Sequence, residues 1–387
     1  MKIAFIVNFY NKIGGIERCV AELSEHFVGD HEVHVFCNEH DPVAAPGIVF
    51  HKVPMVKKPW ILMMLSFFVM SKFCVRKAEK AGLFDVVHVH VPSMLKGDVV
   101  TAHSVHASGV AIAQQHMSAW QKLYYKIRTL EPLILFMARF NFVANRARKV
   151  IAISEVVKRE LIDFLGVPPG KIEVIYNGVN IERFQASNMV RAEVRTTLGF
   201  SDDECVILFV ANEFKRKGLD YLMRAIARLP KDVGKYRLLI VGDSNDGALS
   251  RQDCIDLAVE QGVDDLLFFA GKVREVERYF ACSDMFVLPT QYEPFGLVIT
   301  EAMAAGLPVL VSKSAGAAEL IQHGVSGLLL YDPRDVEEMT DKITLLLQNS
   351  QLRNELGAVA KTTVKSCSWA AIAEYTVKLY RDTVPYC

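Results

Sequence analysis

Short apolar runs, rich in β-branched residues, alternate with longer helical stretches along most of the chain. The runs of the first half predict strands at Lys2–Val7, Val33–Cys37, Val86–Val91, Val99–Ala102 and Val150–Ile153. Stretches such as Ile16–Phe27 and Gln115–Arg148 have the length and composition of helices. Strands that alternate with helices in this way indicate a parallel sheet covered on both faces.

A second cycle of the same kind follows Asn177-Gly178. Its strands are predicted at Val206–Val210, Arg237–Val241, Leu266–Phe269, Met285–Leu288, Val309–Val311 and Gly327–Leu329. The polar segment Asn180–Asp203 favours a linker between the cycles. A chain of 387 residues that is 51% apolar also fits two cores better than one, because single cores rarely grow past about 250–300 residues. We therefore expect two doubly wound α/β domains, residues 1–180 and 181–368.

Charge is distributed unevenly although the formal net charge is zero. Residues 1–180 carry an excess of six basic side chains and residues 181–387 an excess of six acidic ones. This asymmetry favours contact of the N-terminal half with an anionic surface or substrate, although a chance imbalance explains it as well. The eight cysteines include no Cys-x-x-Cys pair, which is typical of reduced, buried thiols. We expect no nucleic-acid partner.

Two apolar segments are candidates, one for a signal peptide and one for a transmembrane helix. Met1–Asn8 is too short for the hydrophobic region of a signal peptide and is more typical of a buried first strand. The run Trp60–Phe73 contains Ser66, Ser71 and Lys72 and falls short of the ~20 apolar residues that a spanning helix requires. We expect a cytoplasmic protein without a transmembrane helix.

The segment Gln291–Val309 places two carboxylates, Glu293 and Glu301, eight positions apart around a Pro-Phe-Gly turn. The strand before it stops at Pro289, so the segment Phe295-Gly296-Leu297 is predicted to open a helix. Free backbone amides and the positive end of a helix favour an anion such as phosphate at that point. Glu301 is expected two turns further along the same helix. A plainer interpretation is a pair of helix-start acids that favour the helix dipole.

Candidate groups also follow the strands of the first domain. The loop Asn11–Glu17 contains Gly14-Gly15, which allows a phosphate to approach a helix start but is equally typical of a tight turn. His103 ends the strand Val99–Ala102, where it can donate to a hydroxyl or phosphate group of a ligand and change charge near neutral pH. His106 is the weaker candidate of the two. His88, His90 and His116 have no spacing typical of a metal site, and the first two are interpreted as structural.

Three successive cations, Lys215, Arg216 and Lys217, follow the strand Val206–Val210. Cations just before a helix can neutralise the negative charge of a bound diphosphate without a metal ion. The alternative is a solvated basic turn.

Together these motifs resemble the retaining glycosyltransferases of family 4. The resemblance rests on the Glu-x7-Glu string with Pro294, Phe295, Gly296, Ala302, Gly306, Pro308 and Val309, on Lys217-Gly218, and on Ile151–Ser154 and Val174–Val179. It implies the GT-B fold, in which two Rossmann-like domains face each other across a cleft, with the C-terminal helix, residues 369–387, packed back on the first domain. The string Phe214–Asp220 looks most like the lipopolysaccharide core glucosyltransferase branch.

The resemblance also implies roles for individual residues. In the family, carboxylates matching Glu301 and Glu293 bind the ribose hydroxyls and the hydroxyls of the transferred sugar. Lys217 and the amides of Phe295, Gly296 and Leu297 bind the diphosphate. The remaining positions are Gly15 for the donor phosphate, Gly14 and Lys12 for the acceptor side, His103 beside the donor sugar, and Lys272-Val273 for the base. The family's usual arginine is replaced by Asn212, which leaves Arg216 or Lys215 as a substitute.

A retaining front-face transfer, without metal or cofactor, fits this set, with His103, Glu293 and Lys217 at the reaction centre. The donor is expected to be a nucleotide-sugar, UDP-linked by preference, and the acceptor an envelope glycan or lipid-linked glycan. Bases and aromatics in Lys57–Phe68 and Trp120–Arg128 favour an anionic membrane surface, although core helices account for them nearly as well. The alternatives are a nucleotide-sugar epimerase, a phosphorylase, and a non-catalytic subunit of the same fold.

Overall fold

The computed structural model describes residues 1–42, 44–79, 82, 84–113, 118, 120–121, 130–144, 147–244 and 248–384. The chain forms two compact units. The first contains residues 1–178 together with 369–387, and the second contains residues 179–368. His116 and most of the segment Trp120–Arg128 lie outside the described residues.

The first unit is built on a parallel sheet. Its strands are β1 (Lys2–Ile6), β3 (Glu32–Cys37), β5 (Ile48–Lys52), β6 (Val86–Val89), β7 (Val99–Ala102), β8 (Lys149–Ala152) and β9 (Ile172–Val174). Their spatial order is β5-β3-β1-β6-β7-β8-β9, and β2 (Phe9–Tyr10) pairs with β4 (Glu39–His40) beside it. Ile3, Phe5, Val35 and Val89 are almost fully buried, which is why these strands are apolar throughout.

Helices flank this sheet. They are α1 (Gly15–Phe27), α2 (Trp60–Glu79), α3 (His106–Ala113), α4 (Glu131–Arg139), which continues as a π-helical turn at Phe140–Ala144, α5 (Glu155–Leu165) and the C-terminal α13 (Trp369–Thr383). The returning α13 packs against α1, and the Trp369 ring lies where a side chain at Gly178 would stand. No described helix has the length and apolar character needed to cross a bilayer.

The second unit repeats the design. Its strands are β10 (Cys205–Val210), β11 (Tyr236–Val241), β12 (Leu267–Gly271), β13 (Met285–Leu288), β14 (Val309–Ser312) and β15 (Leu328–Leu330). Its helices are α6 (Asn188–Leu198), α7 (Leu219–Ile226), α8 (Arg251–Gln261), α9 (Val276–Cys282), α10 (Leu297–Ala304), α11 (Val336–Gln348) and α12 (Ser350–Thr363). All described strand pairs in both sheets are parallel. The expected fold class, two doubly wound Rossmann-like domains, is confirmed.

Two local expectations change. Helix α10 begins at Leu297 because Gly296 adopts a positive φ of 99° and interrupts a helical path from Glu293. Glu301 therefore lies about one turn into the helix, not two. The segment Asn180–Asp203 contains α6, which packs against α9 inside the second unit.

Gly218 fixes how closely two loops of the second unit approach each other. Its φ is 77°, and a Cβ added there would lie 2.1 Å from the backbone oxygen of Pro289. A side chain cannot be accommodated at this distance without moving the backbone. The loop after β10 can therefore pack against the end of β13 only with glycine at this position.

We expect Gly218→Ala to destabilise the second unit well beyond the cost of a left-handed backbone alone. Gly199→Ala is the matched control, because Gly199 has a φ of 73° but no atom within 4 Å of an added Cβ. The control should cost about 1–2 kcal/mol, and Gly218→Ala roughly 1–3 kcal/mol more. Urea unfolding of the full chain measures both; equal losses would contradict the steric argument.

Candidate active site

The centre of the second sheet is the point where the strand order reverses. From β10 the chain continues to β11 and β12 on one side, and from β13 it continues to β14 and β15 on the other. The loops that leave the carboxyl ends of β10 and β13 must therefore diverge and leave a crevice, which is where ligands bind in open α/β sheets. These two loops carry Lys217 and Glu293.

Hydrogen bonds to backbone oxygens connect the two loops and fix their conformation. The amide of Gln291 donates to the oxygen of Arg216 over 2.9 Å, and the side-chain amide of Gln291 donates to the oxygen of Lys215 over 3.1 Å. The buried hydroxyl of Thr290 donates to the oxygen of Tyr292 over 3.0 Å. Because these hydrogen bonds fix the backbone of both loops, the Cα atoms from which the Lys217 and Glu293 side chains extend are held in place.

Lys217 and Glu293 are in direct contact through Nζ and Oε2. Both side chains are largely buried, with 11% and 12% of their surface exposed. Burial, and to a smaller extent the charge of Arg216, lower the pKa of Lys217 to about 7, while Glu213 acts in the opposite direction. The Glu293 carboxylate also favours the charged ammonium and opposes the shift. The result is a lysine that an additional anion can readily hold in its charged form.

The two neighbouring cations are directed elsewhere. The guanidinium of Arg216 binds the Glu213 carboxylate and donates to the backbone oxygen of Tyr292. Lys215 Nζ lies 2.6 Å from the Asp220 carboxylate. The prediction that Arg216 or Lys215 replaces the family arginine at Asn212 stays a prediction, and it would require these pairs to open.

The start of α10 lies directly beyond Glu293. The backbone amides of Gly316 and Ala317 donate to the backbone oxygens of Glu293 and Phe295 over 2.9 and 2.7 Å, which fixes the turn before the helix. The first amides of a helix have no carbonyl of an earlier turn to bind, so those of Gly296 and Leu297 are available to an anion. Glu301, one turn further on, is buried with 3% of its surface exposed.

Lys272 and Val273 follow β12, at the edge of the same sheet. With Thr197 and Leu198 of α6 and Tyr279 of α9 they line a cavity of about 440 Å³. Because β12 lies two strands from β10, and neighbouring strands are about 4.8 Å apart, this position is roughly 10 Å from the strand that leads to Lys217. A ligand that reaches both must be extended.

The glycine loop of the first unit follows β1 and opens α1. Gly15 is exposed, and an added Cβ there would meet no atom within 4 Å. Gly14 is covered by the carboxylate of Glu17, which lies 2.1 Å from the position of an added Cβ. Lys12 folds back on α1, with Nζ 2.6 Å from Glu25 and 3.4 Å from Glu22. The open backbone of this loop is therefore at Gly15.

His103 follows β7 and is partly exposed. Its Nε2 lies 3.0 Å from Nδ1 of His90, within hydrogen-bond distance. Burial lowers the pKa of His103 to about 4, so the imidazole is neutral at pH 7. The expectation that His103 changes charge near neutral pH is therefore wrong. A neutral imidazole can still donate one hydrogen bond, whose direction depends on the tautomer that His90 selects.

The other histidines differ in their surroundings. His88 is buried and has both ring nitrogens 2.6 Å from hydroxyl groups, those of Tyr380 and Thr101, which agrees with a structural role. His106 opens α3, and burial lowers its pKa. His90 was not among the sequence-predicted site residues. Its position at the carboxyl end of β6, the strand beside β1 at the reversal point of the first sheet, was the signal that could have identified it.

The second unit thus has a lysine, a helix start and two carboxylates at the carboxyl ends of its strands. The lysine and amides suit phosphate oxygens, and carboxylates accept hydrogen bonds from hydroxyl groups. Phosphate and polyhydroxylated groups joined in one extended ligand match this distribution.

Two family models match the chain. The model described as Glycosyltransferase Family 4 matches residues 13–183, and the model described as Glycosyl transferases group 1 matches residues 190–363. The two matches follow the two structural units almost without a gap.

Similar proteins agree with these matches. An uncharacterized glycosyltransferase of Methanocaldococcus jannaschii is 29% identical over 98% of this chain and 98% of its own length. A D-inositol 3-phosphate glycosyltransferase of a Nocardioides species is 28% identical over 79% of this chain and 68% of its own length.

Solved structures share the fold. WaaG, a glycosyltransferase involved in lipopolysaccharide biosynthesis, superposes with a TM-score of 0.80 at 20% identity, covering 98% of this chain and 99% of WaaG. HepE of Anabaena, solved in complex with UDP and glucose, gives 0.74 at 20% identity over 99% and 100%. The two family matches, the similar glycosyltransferases and this fold together identify the chain as a glycosyltransferase enzyme of the family 4 type with the GT-B architecture.

Proposed function

We propose that this enzyme transfers a hexose, with retention of configuration, from a UDP-sugar to a glycan or lipid-linked acceptor. The contact of Lys217 with Glu293 at the reversal point of the second sheet carries the proposal. A buried cation beside free helix amides and two carboxylates has the complementarity that a sugar diphosphate requires.

An extended donor fits across the carboxyl ends of the strands in one orientation. Lys217 and the amides of Gly296 and Leu297 bind the diphosphate at the centre, and Glu293 binds the hydroxyls of the sugar. The base lies toward Lys272 and Val273, and Glu301 accepts the ribose hydroxyls. HepE of Anabaena, which is similar in fold, was solved with UDP and with UDP-glucose, which supports UDP-glucose as the first donor to test.

The mechanism uses the charge of Lys217 instead of a metal ion or cofactor. As the bond to the sugar breaks, negative charge grows on the diphosphate, and a cation and amides aimed at it lower the barrier. The leaving phosphate oxygen takes the proton of the acceptor hydroxyl, so bond formation occurs on the face that the diphosphate leaves. The roles that the resemblance implies for two residues of the first unit, a hydrogen bond from His103 to the sugar and contact of Gly15 with the donor phosphate, stay predictions.

The acceptor is assigned to the first unit, with Lys12 and Gly14 at its loop. Helix α2 exposes Trp60, Leu62 and Phe73, of which Phe73 is 62% exposed, and Lys57 and Lys58 precede it. Apolar side chains with flanking bases favour an anionic membrane surface, and therefore a lipid-linked envelope glycan. Relatives named D-inositol 3-phosphate glycosyltransferase support a second candidate acceptor, a small phosphorylated cyclitol.

The donor assignment predicts that UDP and a UDP-hexose stabilise the enzyme against heat. At 100 times its dissociation constant a ligand adds about 2.7 kcal/mol. Glu301→Gln should weaken UDP by roughly 10- to 100-fold because a hydrogen bond to a charged group is lost. Glu260→Gln, an exposed acid on α8, is the control and should bind as the parent does. Binding that is equal in all three proteins, or no stabilisation by UDP-, GDP- or ADP-sugars, would refute the assignment.

The lowered pKa of Lys217 predicts how UDP affinity depends on pH. Below pH 7 the lysine is already charged, whereas above it UDP must bind together with a proton. The affinity should therefore fall as pH rises from 7 to 9, by at most about tenfold per pH unit, the limit for one linked proton. Lys217→Arg remains charged and should bind UDP with little pH dependence. Calorimetry of both proteins measures this; parallel pH profiles would mean that Lys217 does not contact the diphosphate.

The membrane assignment predicts that the enzyme floats with phosphatidylglycerol vesicles at low salt and is released at high salt. Trp60→Ser should reduce flotation. Tyr375→Ser, which removes a ring that is 56% exposed on α13, should not. Equal recovery with anionic and neutral vesicles would remove the proposal.

A further inference from the structure

Three side chains of the first unit bring metal-ligating atoms together. Cys19 on α1, His90 after β6 and His103 after β7 each offer one ligand atom, and these atoms all lie within 4.8 Å of one another. The three residues are distant in sequence and come from neighbouring elements at the reversal point of the first sheet, between β1 and β6. This explains why no sequence spacing indicated the cluster.

Two ligating nitrogens of the cluster, those of His90 and His103, already face each other. Its side chain is 3% exposed, and its Nδ1 is engaged by His103. Its Nε2 is buried and has no hydrogen-bond partner. Because Nδ1 and Nε2 lie on opposite sides of an imidazole ring, an ion shared with His103 binds Nδ1 in place of the hydrogen bond with His103, and Nε2 is not the ligand atom. His88 lies against His90 with a ring-centroid separation of 4.1 Å, but both of its nitrogens are occupied by hydroxyl groups, so it is not a ligand.

The donor set selects the class of metal. Thiolate and imidazole are ligands of Zn²⁺ and of soft transition metals, whereas Mg²⁺ and Ca²⁺ require oxygen. Zinc–ligand bonds of about 2.0–2.3 Å place neighbouring ligands of a tetrahedral ion roughly 3.3–3.8 Å apart. His90 Nδ1 and His103 Nε2, 3.0 Å apart, need only separate slightly, and the Cys19 sulfur, which lies within 4.8 Å of the ligating nitrogens, needs to approach them by at most about 1.5 Å. Cys19 is buried and His103 is partly exposed, so the ion enters from the side of His103. A water molecule on that side takes the fourth coordination position.

We propose that Cys19, His90 and His103 form a Zn²⁺ site that inhibits the enzyme. The Cys19 thiol releases its proton to solvent, the thiolate and one nitrogen of each histidine bind the ion, and a water completes the tetrahedron. The ion occupies a ring nitrogen of His103 and removes the hydrogen bond that His103 gives to the donor sugar. This regulatory part rests on the proposed function, whereas the binding part does not.

Binding is tested without any sugar donor, with Co²⁺ as a spectroscopic probe of the full-length enzyme. One equivalent should produce a thiolate-to-cobalt charge-transfer band and the intense visible bands of a tetrahedral ion, and Zn²⁺ should bleach both. Cys19→Ser should abolish the charge-transfer band, and His90→Gln should weaken binding at least about 100-fold, since even outer-shell losses cost about 10- to 100-fold. Cys254→Ser, a fully buried thiol in the second unit, is the matched control and should leave the spectrum unchanged.

The parent enzyme decides the question if a variant fails to fold, as judged by its circular dichroism. No charge-transfer band in the parent, or a band that survives in folded Cys19→Ser, would overturn the zinc site. In the activity arm, stoichiometric Zn²⁺ should reduce turnover of a UDP-sugar at least tenfold in the parent and in Cys254→Ser. EDTA should restore turnover, and Cys19→Ser should be resistant. Spectroscopic binding without inhibition would overturn the regulatory role alone, and an enzyme inactive on every donor would instead count against the proposed function.

Discussion

The paired charges of Lys217 and Glu293 hold the two central loops of the second unit in one arrangement. Both groups are largely buried, and burying charges is unfavourable unless they find partners. Apolar side chains at positions 217 and 293 would often be at least as stable as a buried ion pair, so stability alone does not explain the two charges. The proposed function accounts for this charged pair: under that proposal a diphosphate binds the ammonium, sugar hydroxyls bind the carboxylate, and the two charges separate when the donor binds.

The parallel sheet is what brings these groups together. Because its strands are parallel, every loop that follows a strand begins on the same side of the sheet. The reversal of strand order between β10 and β13 opens a crevice on that side. Gly218, which permits the approach to Pro289, and the hydrogen bonds of Gln291 with residues 215 and 216 set the width of that crevice. The first unit follows the same rule, and the corresponding point of its sheet gathers Cys19, His90 and His103.

Much of this arrangement could be predicted from the sequence, because strand and helix periods are local. The strands β7 and β13 have the predicted bounds, and Lys217 and Glu293 were singled out from their motifs. What the sequence could not supply depends on tertiary contacts and on the conformation of individual loops. The pKa of His103 is set by burial, the start of α10 by the conformation of Gly296, and the partners of Arg216 and Lys215 by side chains several residues away. The pairing of His90 with His103 joins two strands, and no spacing in the sequence indicates it.

A crystal structure of the enzyme with UDP-glucose or a non-hydrolysable analogue is the most direct measurement of the central claim. The diphosphate should lie within hydrogen-bond distance of Lys217 Nζ and of the amides of Gly296 and Leu297, with Glu293 released to the sugar hydroxyls. A structure in which Lys217 and Glu293 remain in contact, with the nucleotide bound elsewhere, would contradict it.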